Sequence, residues 1–270
     1  VDKCKEVQWV SGCKDANQVL INEGGDKVVE CLRKAKQIPV PGIVELPDIT
    51  EEVYDYWSSG SLKMGYSTGW TSLDEFLRID TKTLNIVTGI PMVGKSEWMD
   101  QLMLNTIRQY KWSWAVFSPE NYPLSHHFQK LSEKLLDKSM FGETNGMNKK
   151  DIETALDKLS PYIKFLSFGE TSATPDNLLT RLKSCKMRWN IKGCIIDPYN
   201  ELEHLRPNYM TETEYISQLL SKLRNFARLY DISMWVIAHP TKLKKIEEGK
   251  NKDEYPLPSP YDIAGSSNWR

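Results

Sequence analysis

The feature that most restricts this chain is Gly89-Ile90-Pro91-Met92-Val93-Gly94-Lys95-Ser96, a complete G-x-x-x-x-G-K-S string. It demands a strand before it and a helix after it. Only then do the backbone N–H groups of a glycine loop and the partial positive charge of a helix N-terminus converge on one phosphate. Both flanks fit. Leu84 to Thr88 is a short apolar strand, and beyond the loop Trp98, Leu102 and Ile107 recur near helical spacing. Lys95 adds a full positive charge, and the Ser96 hydroxyl is placed to bind Mg²⁺. The nucleotide-binding segment is therefore set at Gly89, Ile90, Pro91, Met92, Val93, Gly94, Lys95, Ser96 and Glu97.

Strand and helix signals alternate on either side of this loop. Trp112 to Phe117 is the next strand, and Leu124, Phe128, Leu131 and Leu135 mark a helix. Ile163 to Phe168 is a strand, and Thr174-Pro175-Asp176 opens another helix. Gly193 to Ile196 is a strand ending in Asp197. Thr211 and Glu214 have capping-box spacing ahead of a stripe running from Ile216 to Tyr230, and Met234 to Ala238 is the last strand. Repeated β-α units predict an α/β fold, a mostly parallel sheet with helices on both faces. Ligands then gather at the carboxyl ends of the strands.

A magnesium triphosphate site needs a carboxylate near the metal, and Asp197 at the end of an apolar strand supplies one; alone, it would read as an ordinary strand end. Hydrolysis also needs a group that orients or deprotonates water. Glu120 follows the strand after the phosphate-loop helix, and a strand adjacent to the loop's own would bring it to the γ-phosphate. His239 ends the last strand and could hydrogen-bond a phosphate, although a single histidine is more often structural. Beyond it Lys242, Lys244, Lys245, Lys250 and Lys252 form either a solvated face or a loop that grips a nucleic-acid backbone.

Composition narrows the partners. Lysine plus arginine (35) nearly balances aspartate plus glutamate (36), so nucleic-acid contact must come from a local patch such as this loop. No apolar run approaches the roughly 18 residues of a membrane helix, so no membrane partner is expected. Five cysteines, none spaced C-x-x-C, argue against a disulfide framework or zinc site. The first residues lack both an initiator methionine and a signal-peptide core, which reads as an excised piece of a longer chain. In residues 1–38, Val19, Leu20, Val28, Val29 and Leu32 could line one helical face, with Gly24-Gly25 as an interrupting turn. The proline-rich stretch after it reads as a linker, with a short helix capped near Asp48 to Glu52 that serves as a tether or as an arm docking on a neighbouring subunit.

The order GIPMVGKSEW, SPEN, IDPYNELEHLRP, TETEY, AHPTK and YDIAGSSNW resembles the helicase half of Twinkle-type replicative helicases, relatives of phage primase–helicases and bacterial DnaB. Gly12 to Asn17 is similar to the close of that family's Toprim domain. The resemblance implies a RecA-like P-loop ATPase core, residues 69–270, preceded by a Toprim-like remnant, 1–38, and a linker, 39–68. It implies ATP and Mg²⁺ as ligands, a homo-oligomeric ring, usually a hexamer, and 5′ to 3′ movement on single-stranded DNA at a replication fork. Lys95, Asp197, Glu120 and His239 correspond to the catalytic set, with Ser96 and Asp197 at the metal; the lysine run corresponds to the DNA loop. The linker helix of the family packs on the next subunit. A mitochondrial or plastid location follows for an organellar member, a cytoplasmic one for a bacterial or phage member. Met92 and Val93 depart from the smaller residues often found in the loop, and the family's arginine finger and Toprim acids fall outside the sequence. Two other readings share the same nucleotide residues: a RecA-like ATPase that does not unwind DNA, and a DNA-binding scaffold that hydrolyses little.

Overall fold

The computed structural model describes residues 4–38, 42–58, 65–142, 146–169, 171–241, 255–263 and 269. It divides into two compact units, Val1–Met64 and Gly65–Arg270.

In the first unit a two-residue strand β1 (Lys5–Glu6) pairs antiparallel with β2 (Lys36–Gln37), and between them lie helices α1 (Ala16–Glu23) and α2 (Gly25–Arg33). Asp15 caps α1 by accepting from the Gln18 amide at 2.9 Å. The interrupting turn expected at Gly24-Gly25 is present, but the apolar positions on its two sides do not share one buried face. Gly24, at φ +89°, ends one helix and begins the next, so Val19 is buried while Leu20, Val29 and Leu32 are exposed. A 3₁₀ turn, Leu46–Ile49, leads into α3 (Thr50–Ser58), whose Val53, Tyr54 and Trp57 are exposed.

The second unit is built on a five-stranded parallel sheet. After a short turn of helix α4 (Thr71–Asp74) come β3 (Thr83–Thr88), α5 (Lys95–Tyr110), β4 (Trp114–Phe117) and α6 (Leu124–Leu136). The chain continues through α7 (Lys149–Leu159), β5 (Ile163–Phe165), α8 (Pro175–Trp189), β6 (Gly193–Ile196), α9 (Glu212–Tyr230) and β7 (Ser233–Ala238). The strand order is β3-β7-β6-β4-β5. The strand after the phosphate-loop helix is therefore not next to β3, as its sequence position suggested; β7 and β6 lie between. Consecutive strands are usually neighbours, but pairing between strands is non-local, and here the crossover through α5 carries the chain past two strand positions.

Alternation along each strand sorts the core into two layers. Ala115 and Phe117 of β4, Cys194 and Ile196 of β6, and Met234, Val236 and Ala238 of β7 pack against α8 and α9. Trp114, Val116, Ile195, Trp235 and Ile237 face the other way, against Met99, Leu102, Met103 and Ile107 of α5 and Leu131 of α6. Both faces are covered, which is why these strands read as unbroken apolar runs. Helix α7 carried no expectation, although Asn148 and Asp151 form a capping box at its start. Two strands are shorter than expected. Trp112 leaves the sheet to meet Tyr66, with ring centroids 4.9 Å apart. Phe168 packs edge-on against Phe117 at 5.4 Å.

Candidate active site

The phosphate loop runs from the end of β3 into α5. Gly94 precedes the helix at φ +83°, ψ 25°, a left-handed conformation that glycine adopts without steric cost. Gly89 sits close under the loop, where a Cβ would meet Cγ2 of Val93 at 3.2 Å, a tight contact. Met92 also takes a positive φ, 65°. Its side chain, like much of Val93, projects to solvent, so the two larger residues turn outward from the loop.

Lys95 opens α5 and folds back over the loop. Its ammonium donates to the carbonyl oxygens of Gly89 and Ile90, each at 2.9 Å. Burial lowers its pKa, and the carboxylates of Asp197 and Glu120 act in the opposite direction. Asp197, just beyond β6, is almost fully buried. That burial raises its pKa, and Glu120 and Asp100 add to the rise. A hydrogen bond from the Ser96 hydroxyl, and His127, oppose it. Glu120 lies in a 3₁₀ turn, Pro119–Asn121, directly after β4. Its Oε1 is 3.6 Å from Nε2 of His239, which follows β7.

Lys95, Ser96, Asp197, Glu120 and His239 thus meet at the carboxyl edge of the sheet, carried there by β3, β6, β4 and β7. Glu97 is held by Lys130, 3.3 Å away, and by Lys134. The run Lys242, Lys244, Lys245, Lys250 and Lys252 lies outside the described residues. Sequence reasoning missed Asp100 and His127, a buried pair 2.9 Å apart that joins α5 to α6 behind Asp197. Nothing local signals it, because the two residues are 27 positions apart.

The residues present suit a magnesium-bound triphosphate. A loop that enters its helix through Gly94 in the left-handed region offers its backbone, and the Lys95 ammonium stands over it. Beside it, a buried carboxylate and a hydroxyl form an oxygen donor set of the kind a hard divalent cation takes. Thr88 Oγ1 and His239 Nδ1 are buried at the ends of β3 and β7 with no hydrogen-bond partner among the described residues, so polar capacity remains. Among the described residues, no helix is long and apolar enough to cross a membrane.

Parallel order, glycine loop and strand-end acid together define a P-loop ATPase core of the RecA type. Two solved structures share the fold at 14% identity. One is a DnaB-like replicative helicase (TM-score 0.56; 84% of this chain, 55% of that chain), reported for its interactions with primase. The other is a separately solved ATPase domain (TM-score 0.59; 78% of this chain, 79% of that chain). No family model matches the chain. Among curated proteins, the chain is 33% identical to the Twinkle homolog protein, chloroplastic/mitochondrial, of Arabidopsis thaliana, over 99% of its own length and 38% of the relative's. It is 24% identical to a probable replicative DNA helicase of Trieres chinensis, over 66% of its length and 40% of the relative's. The chain is similar to the Twinkle-type, DnaB-like helicases along nearly its whole length, and it spans about two-fifths of the length of these curated relatives.

Proposed function

We propose that the chain is the ATP-hydrolysing motor segment of a replicative DNA helicase, one that moves 5′ to 3′ on single-stranded DNA as a homo-oligomeric ring of six. The observation that carries this reading is the meeting of Lys95, Asp197, Glu120 and His239 at one sheet edge, in a chain one-third identical to a Twinkle homolog along nearly all its length.

Each residue has a role set by its chemistry. Lys95 and the loop backbone hold the phosphates, and Glu97 closes the segment that contacts the nucleotide. Ser96 and Asp197 hold Mg²⁺, which when bound neutralises charge on the phosphate oxygens. Glu120 orients the attacking water and takes its proton; His239 hydrogen-bonds the γ-phosphate. The lysine run from Lys242 to Lys252 grips the DNA strand. Residues 1–38 are the end of a Toprim-like domain. Residues 39–68 are a linker whose α3, with its exposed aromatic residues, packs on the next subunit. The organelle of action is the mitochondrion or plastid, in keeping with the location named for the Arabidopsis relative.

Forked duplexes test the reading in the full protein that carries this chain. With ATP, a fork bearing a 5′ single-stranded tail should open and one bearing only a 3′ tail should not. ATP turnover without strand separation would instead favour a RecA-like ATPase that does not unwind.

A further inference from the structure

Glu97 and Asp100 stand one turn apart on α5, and His127, Lys130 and Lys134 stand at helical spacing on α6. Each helix therefore presents one polar stripe to the other. His127 and Asp100 form the deep contact, both side chains at most 5% exposed. Nearer the phosphate loop, Lys130 and Lys134 share the Glu97 carboxylate.

Lys130 has a second partner. Its ammonium also donates to Oδ1 of Asn121 at 3.0 Å. Asn121 is buried, and its Nδ2 donates to Ser118 Oγ at 2.8 Å, which fastens the Pro119–Asn121 turn with Glu120 at its centre. One ammonium thus spans the residue after Ser96 and the residue after Glu120. Glu120 itself is half exposed and reaches His239 only at 3.6 Å, so the turn beneath it does most to set its aim.

We propose that Lys130 is a positioning residue that fixes Glu120 relative to the phosphate loop. The role rests on the reading of Glu120 as the group that handles water. If Lys130 is removed, Glu97 keeps Lys134, whereas the buried amide oxygen of Asn121 loses its charged donor. A buried acceptor left unsatisfied drives its segment to rearrange. The damage then falls on the Glu120 side of the site, and nucleotide binding is spared.

Lys130→Met, Lys130→Arg and Glu120→Gln in the full protein, assayed with single-stranded DNA, separate the possibilities. Lys130→Met should lower kcat for ATP by about 10- to 100-fold, the scale of a small misplacement of a reacting group. KM, the affinity for a fluorescent ATP analogue and the melting temperature should stay near parental. Lys130→Arg, which keeps a charged donor, should recover most of kcat. A parental kcat in Lys130→Met would overturn the role. So would a weakened affinity matching the loss in kcat, because Lys130 would then act through Glu97 on the phosphate loop, and so would an arginine variant as slow as the methionine one. Glu120→Gln distinguishes the two levels. Parental hydrolysis by that variant removes the reading of Glu120 and the positioning role with it, whereas an inactive Glu120→Gln beside a parental Lys130→Met removes only the positioning role.

Discussion

Nε2 of His239 lies 3.6 Å from Oε1 of Glu120, although β7 and β4, which deliver them, are separated by β6. The two residues lie side by side at the carboxyl edge of the sheet, and on the proposed reading both serve the terminal phosphate. They should therefore act as a unit. Glu120→Gln is expected to cut hydrolysis by about 10²- to 10⁴-fold with nucleotide binding retained. Because catalytic groups that cooperate show non-additive losses, the double variant with His239→Ala should be little slower than Glu120→Gln alone. Single-turnover hydrolysis by the parental protein, the two single variants and the double variant checks this, and losses that simply multiply would show independent roles.

Gly193 opens β6 against the buried Trp114, and a Cβ at that position would lie 2.3 Å from Cε3 of the indole. Gly193→Ala should therefore destabilise the fold by about 1–3 kcal/mol, the usual range for overpacking a tight core. In a Trp114→Leu background the same change should cost much less, because the clashing ring is gone. Urea melts of the four proteins form the cycle. Equal costs in both backgrounds would mean that the strain lies elsewhere.

Asp231 caps α9 in a left-handed conformation, at φ 52°. Its carboxylate meets the Lys192 ammonium and accepts from Thr81 Oγ1 at 2.5 Å. Lys192 and Thr81 hold the pKa of Asp231 below its ordinary value. A carboxyl with a depressed folded-state pKa stabilises fully above its unfolded value, about 3.9, and loses that contribution as pH falls through the lower folded value. Asp231→Asn keeps a residue that tolerates the left-handed conformation and removes the charge. The pair is partly exposed, so the loss at pH 7 should be modest, about 0.5 kcal/mol. Denaturant unfolding at pH 7 and pH 3 should show the gap between the two proteins closing at the lower pH; an unchanged gap would deny the charge its part.

The lysine run after His239 carries a salt-dependence test. Each phosphate contact on a single strand contributes about 0.7 to the slope of log affinity against log salt. Lys244→Ala with Lys245→Ala should therefore flatten that slope by about 1.4 if both lysines touch phosphates. An unchanged slope in a salt titration would take them out of the contact set.

The phosphate site was legible because its chemistry is written contiguously. Gly89 to Ser96 spells glycine loop, ammonium and hydroxyl within eight consecutive residues, and the apolar strands announce a sheet covered on both faces. Asp197, Glu120 and His239 were legible as strand ends. Strand order was not, because the pairing of β3 with β7 joins Thr83 to Ser233, and no local pattern encodes a contact at that separation. The Asp100–His127 pair and the Lys130–Asn121 bridge were hidden for the same reason, since each links two elements whose packing must be known first. The break at Gly24-Gly25 was legible from its glycines, whereas the exposure of Leu20, Val29 and Leu32 was not, because which face of each helix is covered depends on packing between elements.

The most direct measurement is on Lys95→Ala in the full protein, scored for nucleotide affinity and for opening of a forked duplex. With the ammonium that stands over Gly89 and Ile90 removed, nucleotide binding should weaken sharply and strand separation should stop, with melting temperature near parental. Parental affinity together with parental unwinding would contradict a triphosphate-driven motor built on this loop.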